Sequence, residues 1–254
     1  MSGLAQAPSL QASYDLYEAG RLEEAASLLA EALATYRAGG DRLREAVALS
    51  NLALVEGQQG DWSQAYQHID QSISVLQGRE ITDPRRPRIL AQTFTIQGQL
   101  HLAQGHENEA LASFESATDL YQQEGDAAQT VRSKINQAQA LQANGFYRRA
   151  IREILNPLKQ QLSAQPDSLL KAEGLHSLGE ALLVAGSTQQ AEDTLNNSLA
   201  VLSAIDGAAL LPAGDQARLP IVRAAVYMRL GNTVRSRQAA EAAMNYCQLA
   251  GHAG

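Results

Sequence analysis

The sequence predicts an all-α fold, a right-handed α-solenoid of about six helical hairpins. Three observations carry this prediction. Alanine, leucine, glutamine and glutamate dominate a chain of 254 residues that is 45% apolar and only 5% aromatic, and these are good helix formers. A glycine-centred phrase recurs at Gly20, Gly60, Gly105, Gly145, Gly186 and Gly231, in steps of 40 to 45 residues. A period of that length marks a repeat architecture. Five residues after each glycine stands a small one: Ala25, Ala65, Ala110, Ala150, Ala191 and Ser236.

Each position of the phrase has a physical role. Glycine ends one helix cheaply, and the next helix starts at once. The small residue lets two helices cross closely, and the residues five, nine and twelve after the glycine share one face. The first hairpin, through EAGRLEEAASLL, supplies Ala25, Leu29 and Ala32. The second runs from AVALSNLALVEGQ into QQGDWSQAYQHI. Asp61 and Gln64 have capping-box spacing there, and Ala65, Ile69 and Ser72 face inward. The third, through AQGHENEALASF, supplies Ala110, Phe114 and Ala117.

The fourth, ANGFYRRAIREI, supplies Ala150 and Ile154, but Pro157 stands where the next small residue is due. Its turn is expected to pack Phe146 and Tyr147 between helices. Arg148, Arg149 and Arg152 then fall on an exposed helix face, a basic spot on an acidic molecule. The fifth runs from LLKAEGLHSLGEALLV into VAGSTQQAEDTL. Ser187 and Gln190 form a second capping box, and Ala191, Leu195 and Ser198 face inward. The sixth, built from IVRAAVYMRL and QAAEAAMNYC, lacks the strongly polar outer face expected of a cap.

These hairpins are expected to form a single array over residues 9–250, between a flexible start at 1–8 and a flexible tail at 251–254. Two stretches rich in proline, glycine and aspartate, 77–88 and 205–220, read as loops inserted between hairpins.

The stretch LHSLGEALLVAGSTQQAEDTLNNSL, residues 175–199, resembles the tetratricopeptide repeat (TPR). Leu178–Gly179 falls on that family's leucine–glycine, and Ala191 and Ser198 on its small positions. Leu49, Leu52, Ala53 and Ala65 fit in the second copy. The usual period of about 34 residues is exceeded, which implies longer helices and connections. GDRLREAVALSNLALVEGQQGDWSQAYQHIDQSISVL, INQAQALQANGFYRRA and QPDSLLKAEGLHSLGEAL further resemble the N-terminal repeat region of cyanobacterial CHAT-domain proteins. Those join such repeats to a caspase-like domain with a His–Cys dyad. No histidine here and not Cys247 sits in caspase-like surroundings, so that activity does not carry over.

Several functions are disfavoured. A net charge of −7 argues against nucleic acid as partner. Arg85, Arg86 and Arg88 read as a solvated linker. The single cysteine, Cys247, excludes a disulfide within the chain and reads as a small buried or half-buried apolar residue. No apolar run reaches the length of a membrane span, and MSGLAQAPSLQ is not a signal peptide. The expected location is cytoplasmic, or exported if a leader has been removed. Phosphate-loop, dinucleotide, zinc-protease and serine-elbow motifs are missing from the sequence. His68, His101, His106, His176 and His252 lie in different hairpins and predict no metal site. No cofactor is expected, and the chain reads as non-enzymatic.

What remains is a groove. In a solenoid of this kind the first helix of each hairpin lines the concave face. Matching the groove positions of the TPR family, as the resemblance implies, gives as candidate contacts Asn51 and Leu54; Gln92, Thr95 and Gln99; Arg132, Asn136 and Gln139; and His176 and Glu180. Arg132 and Asn136, four apart, resemble a pair with which some TPR relatives hold a peptide's C-terminal carboxylate. Gln92 and Glu180 stand at or beside positions where the full clamp needs further basic residues, so contact of an amide ladder with peptide backbone is the broader expectation. The leading reading is a non-enzymatic scaffold that binds a protein or peptide in this groove. The alternatives are the regulatory or recognition half of a CHAT-type protease, and a scaffold that self-associates through its terminal hairpin.

Overall fold

The computed structural model describes residues 10–78, 81–206 and 213–252, and every regular element among them is helical. Helices α1 (Leu10–Glu18) and α2 (Leu22–Gly39) form the first hairpin, α3 (Arg42–Gln59) and α4 (Trp62–Gln77) the second, and α5 (Arg86–Ala103) and α6 (Glu107–Gln123) the third. The fourth joins α7 (Ala127–Ala143) to α8 (Tyr147–Arg149), a π-helical stretch (Ala150–Leu155) and α9 (Asn156–Ser163). The fifth is α10 (Leu169–Val184) with α11 (Thr188–Asp206), and the sixth α12 (Ala213–Arg229) with α13 (Thr233–His252). The expected class, an all-α fold of stacked TPR-like hairpins, is what the structure shows. By contact the chain falls into two compact units, Met1–Ser133 and Lys134–Gly254, with the boundary inside α7. Repeats touch chiefly their neighbours, so cohesion is local.

The turn of the second hairpin shows how the glycine phrase works. Gly60 has φ +83°, a conformation that strains any residue with a Cβ. It lets the N–H groups of Gly60 and Asp61 donate to the carbonyls of Gly57 and Glu56. The Asp61 carboxylate then accepts from the Gln64 N–H, 3.3 Å away, and starts α4. All six repeat glycines share this positive φ, from 72° to 83°.

The small residues sit where helices cross. Ala25, Ala65, Ala110, Ala150 and Ala191 are fully buried, and Ser236 nearly so. One turn on, Leu29, Ile69, Phe114 and Leu195 fill the space between the paired helices. Ser72 and Ser198 are buried too, and each hydroxyl donates to a carbonyl of the opposing helix, Ala46 or Ala172, at 2.8 Å. These bonds satisfy a buried hydroxyl without taking helix volume.

The fourth copy departs from the expected register. Ile154 is only half-buried and Pro157 is exposed; Leu155 and Leu158 take the inner face. The π stretch explains the shift, because its wider turn absorbs one extra residue. Pro157 gives a reason for it. A proline ring has no N–H for the carbonyl four residues back and needs room against it.

Both expected loops are shorter than the composition indicated. Helix α5 begins at Arg86, with Pro87 in its first turn, where a missing N–H costs nothing. Helix α12 begins at Ala213 and carries Pro220 inside. Burial of Leu219 and Val226 on its inner stripe offsets that proline. The tail expected to be flexible from Gly251 is helical through His252. Residues 1–9, 79–80, 207–212 and 253–254 lie outside the described residues, as do the side chains of Ala243 and Cys247.

Candidate functional site

In the first unit the structure brings Asn51, Leu54, Gln92, Thr95 and Gln99 onto two neighbouring helices. Helices α3 and α5 pack directly against each other. They approach closely at Gly57, where a Cβ would lie 2.3 Å from the Leu100 side chain. On α5, Gln92, Thr95 and Gln99 fall in one row by helical spacing. Gln92 and Gln99 are exposed; Asn51 and Leu54 on α3 are half-buried. The Thr95 hydroxyl is already engaged within the first unit. It donates to the Ala91 carbonyl at 2.9 Å, and it is hydrogen-bonded to Tyr121, whose phenol burial pushes up. The amides of Asn51, Gln92 and Gln99 make no hydrogen bond with the described residues.

The other face of α5 is arranged differently. Gln97 donates to Asp70 of α4 and accepts from the Ser113 hydroxyl of α6, so that amide is fully engaged in holding three helices together. Beside it, Tyr66 and His101 lie ring to ring at 5.1 Å, with His106 6.0 Å beyond. The Tyr66 hydroxyl and His101 Nδ1 are buried without a partner among the described residues. Nothing in the sequence marked this cluster, because its members come from two helices and the turn that precedes a third.

Arg132, Asn136 and Gln139 all lie on α7. Arg132 falls in the first unit, and Asn136 and Gln139 in the second. Arg132 and Asn136 are half-buried and Gln139 is exposed. In the second unit His176 and Glu180 sit one turn apart on α10, but Glu180 is paired. Both Nε and an Nη of Arg229 from α12 reach its Oε1 at 2.6 Å. This ion pair ties the fifth hairpin to the sixth and engages one oxygen of the Glu180 carboxylate. His176 Nε2 is buried without a partner.

Burial lowers the pKa of both orphaned histidines. His101 is pushed below 6.5 by desolvation, opposed by the Glu109 and Asp70 carboxylates and reinforced by His106. For His176 desolvation again leads, opposed by Glu180 and reinforced by Arg229. A histidine whose folded pKa is depressed takes its proton more readily when unfolded. Its stabilising contribution is complete above the unfolded value, about 6.5, and is lost as pH falls below it. Glu56 acts in the opposite sense at lower pH, because burial raises it against the hydrogen bond from His68. The urea midpoint is therefore expected to fall between about pH 8 and about pH 5.5. His101→Gln with His176→Gln should flatten that slope. An unchanged slope in the double variant would assign it to other groups.

The described residues expose seven large apolar side chains: Tyr14, Phe146, Val184, Ile221, Met228, Val234 and Met244. Phe146 was expected between helices and instead is 50% exposed. Ile221, Met228, Val234 and Met244 lie on the sixth hairpin, the one whose sequence lacked a polar outer face. No helix among the described residues is long and apolar enough to cross a membrane.

Paired helices joined by a one-glycine turn and seated on buried alanines define a TPR-like repeat protein. Residues 5–78 match the family model of the tetratricopeptide repeat. Solved structures share the fold. The TPR-like repeats of a putative kinesin light chain from Podosopora anserina are 18% identical with a TM-score of 0.65, over 78% of this chain and 95% of that one. BtubC (BKLC) from P. vanneervenii is 19% identical with a TM-score of 0.53, over 94% and 91%. A Rap protein, solved in complex with Competence and Sporulation Factor, is 14% identical with a TM-score of 0.65, over 99% of this chain and 66% of that one. No curated protein matches the sequence.

Proposed function

We propose that the chain is a protein-interaction scaffold whose first unit holds an extended segment of a partner against the α3–α5 face. One contrast supports this reading above all. The amides on that face, Asn51, Gln92 and Gln99, make no hydrogen bond with the described residues, whereas Gln97 on the opposite face of α5 is bonded at both ends. A side-chain amide donates and accepts as a peptide group does. Gln92 and Gln99 are two turns apart, about 10 Å along the axis, the span of about three extended residues. Leu54, one turn from Asn51 on α3 and half-buried, offers apolar contact. TPR hairpins generally mediate protein–protein interaction, and the Rap relative was solved with a bound factor.

The test is selection of twelve-residue peptides from a random display library on the whole chain, with affinities measured by calorimetry. The triple variant Asn51→Ala, Gln92→Ala, Gln99→Ala should weaken a groove-bound peptide about thirtyfold or more. That corresponds to three lost hydrogen bonds of about 0.5–1.5 kcal/mol each. Peptides that bind the triple variant as tightly as the parent would exclude this face.

A further inference from the structure

The turn that opens the fourth hairpin breaks the pattern of the other five. The residue after the repeat glycine is Arg21, Asp61, His106, Ser187 or Asn232 elsewhere, always polar, but here it is Phe146. Asp61 and Asn232 accept from the backbone N–H three residues on. Phe146 caps nothing, and with half its surface exposed it gains little burial in exchange. A position that forgoes a local rule without a packing gain is a candidate for function. The residue two before the glycine is polar or no larger than alanine in five copies, Glu18, Gln58, Ala103, Ala143 and Arg229, and is Val184 in the fifth hairpin, 59% exposed.

These two exceptions meet. Phe146 and Val184 border one open depression of about 510 Å³ in the second unit, together with Tyr147, Arg148, Arg149 and Arg152. No acidic side chain lines it. Glu153, just outside, holds Arg149 at 2.8 Å and Arg152 at 2.7 Å. Arg148 has no side-chain partner among the described residues. Arg148, Arg149 and Arg152 make this border a basic spot on a chain of net charge −7.

We propose that this depression docks a partner protein through a segment in which an aspartate or glutamate stands beside a large apolar side chain. The apolar group covers Phe146 and Val184. The carboxylate takes the planar fork of Arg148, which suits two parallel hydrogen bonds. Water excluded by the apolar contact strengthens the ion pair beside it. The site lies in the other unit from the amide face and does not rest on that reading.

The same display selection tests it, with recovered peptides synthesised as C-terminal amides and titrated into the whole chain. The expected result is a peptide family with aspartate or glutamate next to leucine, isoleucine or phenylalanine. Its affinity should fall about tenfold or more in Arg148→Glu and in Phe146→Ser, weaken with added salt, and stay unchanged in the Asn51, Gln92, Gln99 triple variant. Phe146→Ser installs a capping residue, so its thermal midpoint should hold; Val184→Ser is the second apolar variant and should act in parallel. Four outcomes overturn the proposal. One is the recovery of no such family. Another is a family that binds Arg148→Glu and Phe146→Ser as tightly as the parent. The third is equal binding of inorganic phosphate or a single-stranded oligonucleotide, which would make the spot a general anion site. Peptides lost only in the triple variant would also sink it, while supporting the amide face.

Discussion

Gly98→Ala is expected to destabilise the first unit by about 2 kcal/mol, against the direction that helix propensity alone gives. Alanine is the better helix former by about 1 kcal/mol. At Gly98, however, a Cβ would lie 2.5, 2.7 and 2.8 Å from three ring carbons of Phe114. That ring is only 1% exposed, held between α5 and α6. A buried ring cannot swing clear as a leucine can; Gly179 also faces a close neighbour, but there it is the side chain of Leu195. Overpacking a filled site costs about 1–3 kcal/mol, and three ring contacts below 3 Å put this one at or above the upper end. Urea unfolding of Gly98→Ala, Phe114→Leu and the double variant measures the coupling. Phe114→Leu alone should cost about 1–2 kcal/mol through a small cavity. The double variant should be more stable than the two losses summed, by about 1 kcal/mol or more. A Gly98→Ala chain as stable as the parent would mean that α5 and α6 do not cross at this glycine.

What the sequence made legible and what it hid follow from the range of the interactions. Ala65, Ile69 and Ser72 could be read because their roles are set within one helix turn of a glycine and recur in other hairpins. Their burial follows from spacing alone. The match to TPR groove positions gives Thr95 and Glu180 as groove contacts, and both are engaged by other residues. Thr95 bonds within α5 and to Tyr121. Glu180 bonds to Arg229, 49 residues on. Periodicity tells which face a residue occupies, but not whether a side chain from the next hairpin already holds it. The fourth copy shows a second limit. Pro157 was seen to break the pattern, but the π turn that moves burial to Leu155 and Leu158 is a choice among backbone solutions that residue types do not dictate. Phe146 was misread because an aromatic residue beside a turn is usually core. Its exception to the polar rule at that position was present in the sequence and is the signal that finds it.

Removing two exposed arginines is expected to cost more than removing the buried acid they serve. Glu45 is 3% exposed. Its carboxylate accepts from Arg37 Nε at 2.9 Å and from Arg42 Nη1 at 2.6 Å, while both arginines keep nearly half their side-chain surface in water. Arg37 closes α2 and Arg42 opens α3, so the acid clasps the junction of the first two hairpins. Glu45→Gln leaves two cations that water can solvate, and the loss should stay near 1 kcal/mol. Arg37→Met with Arg42→Met leaves a carboxylate that water cannot reach. An uncompensated buried charge costs about 3–5 kcal/mol, eased here by the positive end of α3, whose first turn holds Glu45. A loss of about 3 kcal/mol is therefore expected for the arginine pair. Adding Glu45→Gln to that pair should then recover about 2 kcal/mol, since it removes the stranded charge rather than a bond. Chemical denaturation of the three variants decides the matter. A double arginine variant that loses less than Glu45→Gln, or a triple variant that recovers nothing, would show that the carboxylate reaches solvent and that the clasp adds no more than a surface ion pair.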